Sequence, residues 1–388
     1  MASKLKQLVR KKEVIEDFME IFEKGAEALS EAVGEMFPVF SIVSPLVQLA
    51  MDNQESPEAE FMKEQFQKVR DRLDVISEEA ENITQEVKKS GVDAAYFQVE
   101  ENLTSQFRKY MDILNAKPKF REVKKKLFME HFAKTGGEKN LNTLYGAVTG
   151  DNFSGESVLE ITLKYEEKNR RSMEDFCARL KNLFFIGLVA LVGHAALKDC
   201  NEEEELLRVW AEKVKHIEEK MKAVVEDCKV NFVKQAEIDI GKRIRTWKGR
   251  PNQEIADVAI GFLKQKYDWV SWSVRIYAPS TGFFWKLIYG KKYHGISGGN
   301  HFVFDTEPHV VVSYSLQPRS LNKETLPAAI QGQKWRRNKA QLAEQVHASL
   351  PGCLVHVIRR HVVESSSFPD DAQYDQYHRK THVFIYSD

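Results

Sequence analysis

Residues 182–197, NLFFIGLVALVGHAAL, carry no charge and are bracketed by Lys181 and Lys198. A helix made from this run is apolar on every side. Such a helix is stable in the middle of a helical assembly or in a lipid bilayer, and not on a wet surface. At 1.5 Å per residue the run spans ~24 Å, short of the ~30 Å hydrocarbon layer, so it is a poor permanent membrane span. Gly187 and Gly193 would loosen a helix here and allow a turn. A second uncharged run, MFPVFSIVSPLVQLAM at residues 36–51, lies between Glu35 and Asp52 and is broken into short pieces by Pro38 and Pro45. The two runs have two possible uses. They cover each other at the end of a bundle core, or they are released together into a bilayer. In the second case the inserting side chains are Phe184, Phe185, Ile186, Leu188, Val189, Leu191 and Val192, with Phe37, Phe40, Ile42 and Val43 as the partner element.

The chain around these runs has helical periodicity up to about Trp247. Met62, Phe66, Val69, Leu73, Ile76, Ala80, Ile83 and Val87 alternate steps of four and three, a heptad seam that predicts a helix over 56–89. Tyr96, Val99, Leu103, Phe107, Tyr110 and Leu114 predict a second helix, closed by Pro118. Ser154 or Ser157 is placed to cap a helix that runs on to Lys181. Leu206, Trp210, Val214, Ile217, Met221, Val224, Cys228 and Phe232 predict a long helix continuing toward Thr246. Long seams of this kind require neighbouring helices, mostly antiparallel, so residues 1–250 are expected to form an elongated antiparallel helical bundle.

Past Asp268 the texture changes. The stretches WVSWSVRIY, HFVFD, HVVVSYSL, CLVHVIRRHVV and HVFIY are β-branched and aromatic, and are bounded by Gly, Pro, Ser and Asn. With helices expected over 254–266 and 334–349, residues 251–388 read as a small α+β domain with a mostly antiparallel sheet.

Composition removes several functions. Lys plus Arg and Asp plus Glu both number 57, which argues against a general nucleic-acid binder. Cys177, Cys200, Cys228 and Cys353 show neither CxxC spacing nor a zinc pattern, and four thiols in 388 residues are no disulfide framework. The opening MASKLKQLVRKK is basic, then amphipathic, without the apolar core of a signal peptide. The expectation is a cytoplasmic chain, with this segment a solvated helix end or a contact for anionic lipid. GISGG at 295–299 formally matches GxSxG around Ser297, but a strand-like HFVF follows where that nucleophile turn needs a helix. The hairpin reading is preferred there. His294, His301 and His309 are close in sequence without metal-ligand spacing, and GKRIRTWKGR at 241–250 reads as a helix C-terminus, where cations suit the dipole. ESSSFPDDAQYDQYH at 364–378 reads as a polar loop. The chain is therefore expected to be non-enzymatic, with no catalytic residue, cofactor or metal.

The stretch YDWVSWSVRIYAPSTGF, then HGISGGNHFVF and HVVVSYS, together with MFPVFSIVSPLVQLAMD and LYGAVTGDNFSG, resembles the rapunzel family of fish proteins, which is similar to the cephalotoxin-like proteins. The resemblance covers most of the chain and carries no catalytic signature. It implies a helical protein whose relatives include secreted venom proteins. The helical part is also similar in outline to α-pore-forming toxins of the haemolysin E type, which carry a hydrophobic hairpin between long helices. Residues 182–197 occupy the corresponding place, although they are barely long enough for one crossing. The expected function is membrane activity with conditional pore formation, a lipid bilayer as partner and a homo-oligomer on activation. The alternative is a cytosolic scaffold or interaction protein, in which the apolar runs are core or an oligomer interface and the C-terminal domain binds a protein partner.

Overall fold

The computed structural model describes residues 64, 67, 68, 93–151, 156–198, 203–247, 249–277, 294–305, 307–331, 338–359, 361–378 and 380–388. The basic opening, the apolar run 36–51 with Phe37, Phe40, Ile42 and Val43, and nearly all of the 56–89 seam lie outside the described residues. The chain divides into two compact units, one up to Val230 and one over Asn231–Asp388.

The first unit is helical: α1 (Asp93–Leu114), a short 3-10 turn (Pro118–Phe120), α2 (Arg121–Lys134), α3 (Lys139–Thr149), α4 (Val158–Tyr165), α5 (Arg170–Leu197) and α6 (Glu203–Val230). Local chemistry sets the boundaries. Gly136 and Gly137, at φ +92° and +52°, turn the chain between α2 and α3, and a left-handed Gly150 ends α3. Helix α4 begins at a capping box. The Glu160 backbone N–H donates to Ser157 Oγ at 3.1 Å, and the Ser157 N–H donates to the Glu160 carboxylate at 3.0 Å. The expected stripe of α1 is buried, as are Trp210, Val214, Ile217, Met221 and Cys228 of α6. All belong to one apolar core shared by α1 to α6.

The second unit begins earlier than residue 251. The helix expected to continue to Thr246 is interrupted at Asn231, whose φ of −98° and ψ of 15° separate α6 from α7 (Phe232–Thr246). Phe232, Ala236, Ile240 and Ile244 of α7 join Ile255, Ala256, Ala259 and Leu263 of α8 (Asn252–Lys266) in a separate core. The boundary therefore falls at Val230/Asn231 and not at 250/251.

The remaining elements are β1 (Ser271–Tyr277), β2 (His294–Ser297), β3 (Asn300–Phe304), β4 (His309–Ser315), α9 (Leu326–Gln331), α10 (Lys339–Ala348), β5 (Cys353–Ile358), β6 (Val362–Ser366), β7 (Gln373–His378) and β8 (Thr381–Ser387). They form two four-stranded sheets in the orders β3-β4-β1-β6 and β2-β5-β8-β7, with every pairing antiparallel. Alternation along the strands builds four layers. Trp272, Val274 and Ile276 of β1 share the core of α7 and α8. Val355 and Val357 of β5, with Val383 and Ile385 of β8, pack with Leu342, Ala343 and Val346 of α10. The alternate residues Tyr277, Val311, Leu354, Ile358, Phe384 and Tyr386 meet between the sheets.

Three details depart from the sequence expectation. The run 353–363 is two strands in different sheets, because the chain crosses from one sheet to the other between Ile358 and Val362. GISGG makes a corner instead of a hairpin. Gly298 and Gly299, at φ +73° and +60°, carry the chain from β2 in one sheet to β3 in the other. The polar stretch 364–378 holds the end of β6, a 3-10 turn (Asp370–Ala372) and all of β7.

Candidate functional site: a caged apolar helix

The apolar run is the second half of one continuous helix, α5, of 28 residues. It is not a separate hairpin, and the helix expected to end at Lys181 continues through it. Asn169 starts α5, its side-chain oxygen accepting the Ser172 N–H at 3.4 Å. The first turns carry charge, and the buried charges are paired. Arg170 donates to Glu174 at 3.2 Å, and Arg179 Nη2 donates to Glu100 of α1 at 2.6 Å. Burial pushes the Cys177 thiol up to about 12, so it behaves as a small apolar side chain. Burial also lowers the Lys181 ammonium, although the Cys177 and Glu218 groups beside it partly oppose the shift.

From Asn182 on the helix is enclosed. Phe184, Phe185, Ile186, Leu188, Val189, Leu191 and Val192 are each at most 4 % exposed, so the sequence-derived insertion candidates of this run are core residues in this state. Helices α1, α2, α3, α4 and α6 all contact α5. The enclosure follows from the sequence. Helices α1, α3, α4 and α6 are amphipathic and turn their apolar stripes toward the one helix that has no polar face, while the mostly polar α2 reaches it with Phe128 and Phe132. Gly187 and Gly193 permit close approach, not a turn. A Cβ on Gly187 would lie 2.6 Å from Leu141 Cδ2 and 2.9 Å from Leu103 Cδ2, and one on Gly193 would lie 2.3 Å from the Tyr110 ring. Helix α5 has the length and apolar composition of a membrane-crossing helix, as the core helix of a soluble protein also can have, and 83% of its most apolar window is buried within the protein.

His194 is the polar residue near the exit of this run. Its ring stacks on Phe132 of α2 at 4.2 Å between centroids and meets Phe128 edge-on at 6.4 Å. Burial, with Lys198 nearby, lowers its pKa to about 4, so the ring is neutral at pH 7. On α2 itself, His131 lies 2.5 Å from Ser105 Oγ of α1, and its pKa is lowered by burial and by Lys109. Helix α2 thus docks on α5 through two buried rings, Phe128 and Phe132, with His194 of α5 stacked on Phe132. Periodicity gave no sign of this arrangement. The one legible signal was a single imidazole inside an otherwise apolar run.

The other candidates are separated or reassigned. Ser297 ends a strand that passes through a Gly-Gly corner into another strand, without the helix that a nucleophile turn requires. Among the described residues no group of three or more His, Cys, Asp or Glu is placed to hold a metal. His294 and His309 instead pack against Tyr277, at 5.1 and 5.4 Å between ring centroids. Trp247 is buried in the core of the second unit, and Arg243 stacks over Phe262 at 3.6 Å.

Residues 52–249 match the family described as the cephalotoxin-like middle helical domain. The zebrafish (Danio rerio) protein named rapunzel is 32% identical over 207 residues, which is 52% of this chain and 88% of that protein. No solved structure matches. Both sheets of the second unit lie outside the residues matched to the family.

Proposed function

The chain belongs to the rapunzel and cephalotoxin-like family, and from that premise we propose that it is a non-enzymatic, membrane-active protein whose helix α5 is held inside a soluble bundle and released to a bilayer on demand. The observation that carries this reading is the run 182–197, which has no polar face and is caged by five neighbouring helices. The cage hides a segment that a bilayer accepts equally well. Transfer gains about 25 cal/mol per Å² of apolar surface only where that surface would otherwise meet water. A closed bundle therefore stays soluble, and opening must come first. The α2 contact supports acid as the opening signal, because protonating His194 puts a charge in a half-buried place against Phe132 and near Lys198. In this reading the chain starts in the cytoplasm, associates peripherally with membranes and assembles into homo-oligomers there, since a single ~24 Å apolar segment makes no pore alone.

A second reading, a scaffold or interaction protein, is favoured by the two glycine contacts. Gly187 and Gly193 are shaped to Leu141, Leu103 and Tyr110 as a permanent core would be. A buried-helix probe separates the two. Phe184→Trp reports on α5, and vesicles of anionic or neutral lipid carrying brominated chains quench it on insertion. The membrane reading expects co-flotation, release of trapped dye and quenching of the new tryptophan above that of the parent chain as pH falls from 7.5 to 4. Absence of all three at every pH returns α5 to the core and leaves the scaffold.

A further inference from the structure

Ten large apolar side chains are exposed among the described residues, and three of them fall within eight residues of one another. Single exposed apolar residues are ordinary on a protein surface, whereas a contiguous group is not. Phe120, the residue before α2, and Val123 and Leu127 within it are spaced by three and four, so they lie along one side of the helix. They are 51 %, 59 % and 48 % exposed. Helix α2 therefore has apolar groups on two sides. Phe128 and Phe132 are buried in the core with α5, and the ridge, turned by about 100° from them, meets water.

The surroundings of the ridge are basic. Residues 117–126 hold Lys117, Lys119, Arg121, Lys124, Lys125 and Lys126 against one acid, Glu122, in a chain whose cations and acids are equal in number. Three of these cations are already engaged within the bundle. Arg121 is buried, Lys124 Nζ is 3.2 Å from Asp112 of α1, and Lys125 Nζ is 2.9 Å from Glu122. Lys117, Lys119 and Lys126 are exposed and make no ion pair among the described residues. Lys119 Nζ lies 4.8 Å from the Phe120 ring centre, so its stem runs along the apolar ridge. Further along the helix Glu130 is exposed, and Lys134 one turn later offsets its charge.

An apolar ridge edged by free ammonium groups suits an anionic bilayer. The apolar side chains enter the headgroup boundary while the cations stay among the lipid phosphates. A folded protein partner fits it less well. A stable protein interface buries about 800 Å² on each partner. Three half-exposed side chains offer roughly 100 Å² each. We propose that the ridge of Phe120, Val123 and Leu127, flanked by Lys117, Lys119 and Lys126, docks the closed bundle on anionic membranes. The proposal rests on the membrane reading above for the nature of its partner. Docking does not require α5 to move, and it brings the helix whose Phe132 covers His194 against the bilayer.

The test is flotation of the full Phe184→Trp chain at pH 7.5 with vesicles of phosphatidylcholine, alone or mixed with phosphatidylserine, read together with dye release and quenching by brominated lipid. The mixed vesicles are expected to carry the protein without dye release or quenching, and the phosphatidylcholine vesicles to leave it behind. Replacing Phe120, Val123 and Leu127 together by serine is expected to weaken binding about tenfold or more, and so is replacing Lys117, Lys119 and Lys126 together by glutamine. Both variants keep the melting temperature of the parent, since all six side chains are exposed. Tyr165→Ser, at an exposed position of α4, is the matched control and leaves binding unchanged. The proposal is overturned if the parent floats with neither vesicle, if phosphatidylcholine alone carries it equally, or if either triple variant binds as the parent does. A parent that ignores vesicles and sediments as a dimer, which the serine variant dissociates, assigns the ridge to a second copy of the chain and also overturns it. The two membrane readings fail separately. Flotation at pH 7.5 without insertion at any pH keeps the docking ridge and removes the release of α5, whereas insertion in acid without flotation at pH 7.5 does the reverse.

Discussion

At the scale of single residues, the two glycines of α5 give the most direct reading of the packing. A glycine in a helix interior ordinarily costs about 1 kcal/mol relative to alanine, so Gly→Ala in a free helix is stabilising. At Gly193 the sign reverses. The added Cβ would stand 2.3 Å from Tyr110 Cε2, on a ring that is fully buried and braced by Phe128 at 5.4 Å. Gly193→Ala is expected to lower stability by about 1–3 kcal/mol, the usual cost of overpacking a core. Gly261 of α8, where nothing lies within 4 Å of the new Cβ, supplies the matched control and is expected to gain stability on the same change. Urea unfolding of the two variants decides the matter. A stabilised Gly193→Ala protein would mean that α1 and α5 are not packed face to face.

At the scale of elements, the docking of α2 on α5 ties stability to pH. The His194 pKa is lowered from 6.5 to about 4 in the folded protein. Between those values the unfolded chain binds the proton and the folded chain does not, so acidification favours unfolding across that window. The contribution is fully present above pH 6.5 and is lost as pH falls toward 4. A tenfold change in proton affinity corresponds to about 1.4 kcal/mol, and the ring is partly exposed, so the discounted loss is about 1–2 kcal/mol. His194→Phe keeps a ring to stack on Phe132 and removes the proton site. Its stability relative to the parent is expected to be flat above pH 6.5 and to grow steadily below it. A difference that does not change with pH would show that other groups open the bundle. His131, His356 and the remaining depressed histidines stay in both proteins and cancel in the difference.

This element scale is also where the sequence was most and least informative. The seam of α1 predicted its buried face residue by residue, and that of α6 did so at Trp210, Val214, Ile217, Met221 and Cys228, because a 3.6-residue period fixes which side chains share a face, while Leu206 and Val224 are only partly buried and Phe232 belongs to α7. The apolar run left protein core and bilayer equally open, and it did not show that it continued the helix from Arg170, because an uncharged run after a charged one looks like a new element. The histidine stacked on a phenylalanine was invisible, since Phe132 and His194 are brought together only by the fold. The strand content of the second unit was legible from its β-branched runs. The division into two sheets was not, because a two-residue Gly-Gly corner and a two-residue hairpin read alike in sequence. Strand β7, QYDQYH, was missed for a related reason. As an edge strand it buries little, and its residues carry no apolar alternation.

At the scale of the whole molecule, the boundary at Val230/Asn231 has a consequence that a boundary at 250 does not. Helix α7 supplies Phe232, Ala236, Ile240 and Ile244 to the core that covers the first sheet. It also supplies Asp239, fully buried, which accepts from Lys266 Nζ at 2.6 Å and from Tyr267 Oη at 2.8 Å, while Gln235 donates to its other oxygen at 2.9 Å. Removing α7 takes away three large apolar side chains, each worth about 1.5–3 kcal/mol on burial. It also leaves the Lys266 ammonium buried without its carboxylate, at a further cost of about 3 kcal/mol or more. The sum is comparable with the whole stability of an ordinary domain, about 5–15 kcal/mol. A fragment beginning at Asn231 is therefore expected to fold with a cooperative melt and dispersed amide resonances, whereas one beginning at Pro251 stays unfolded or aggregates. Two fragments that melt alike would place α7 outside the folded unit, and neither one folding would make the second unit dependent on the helices before it.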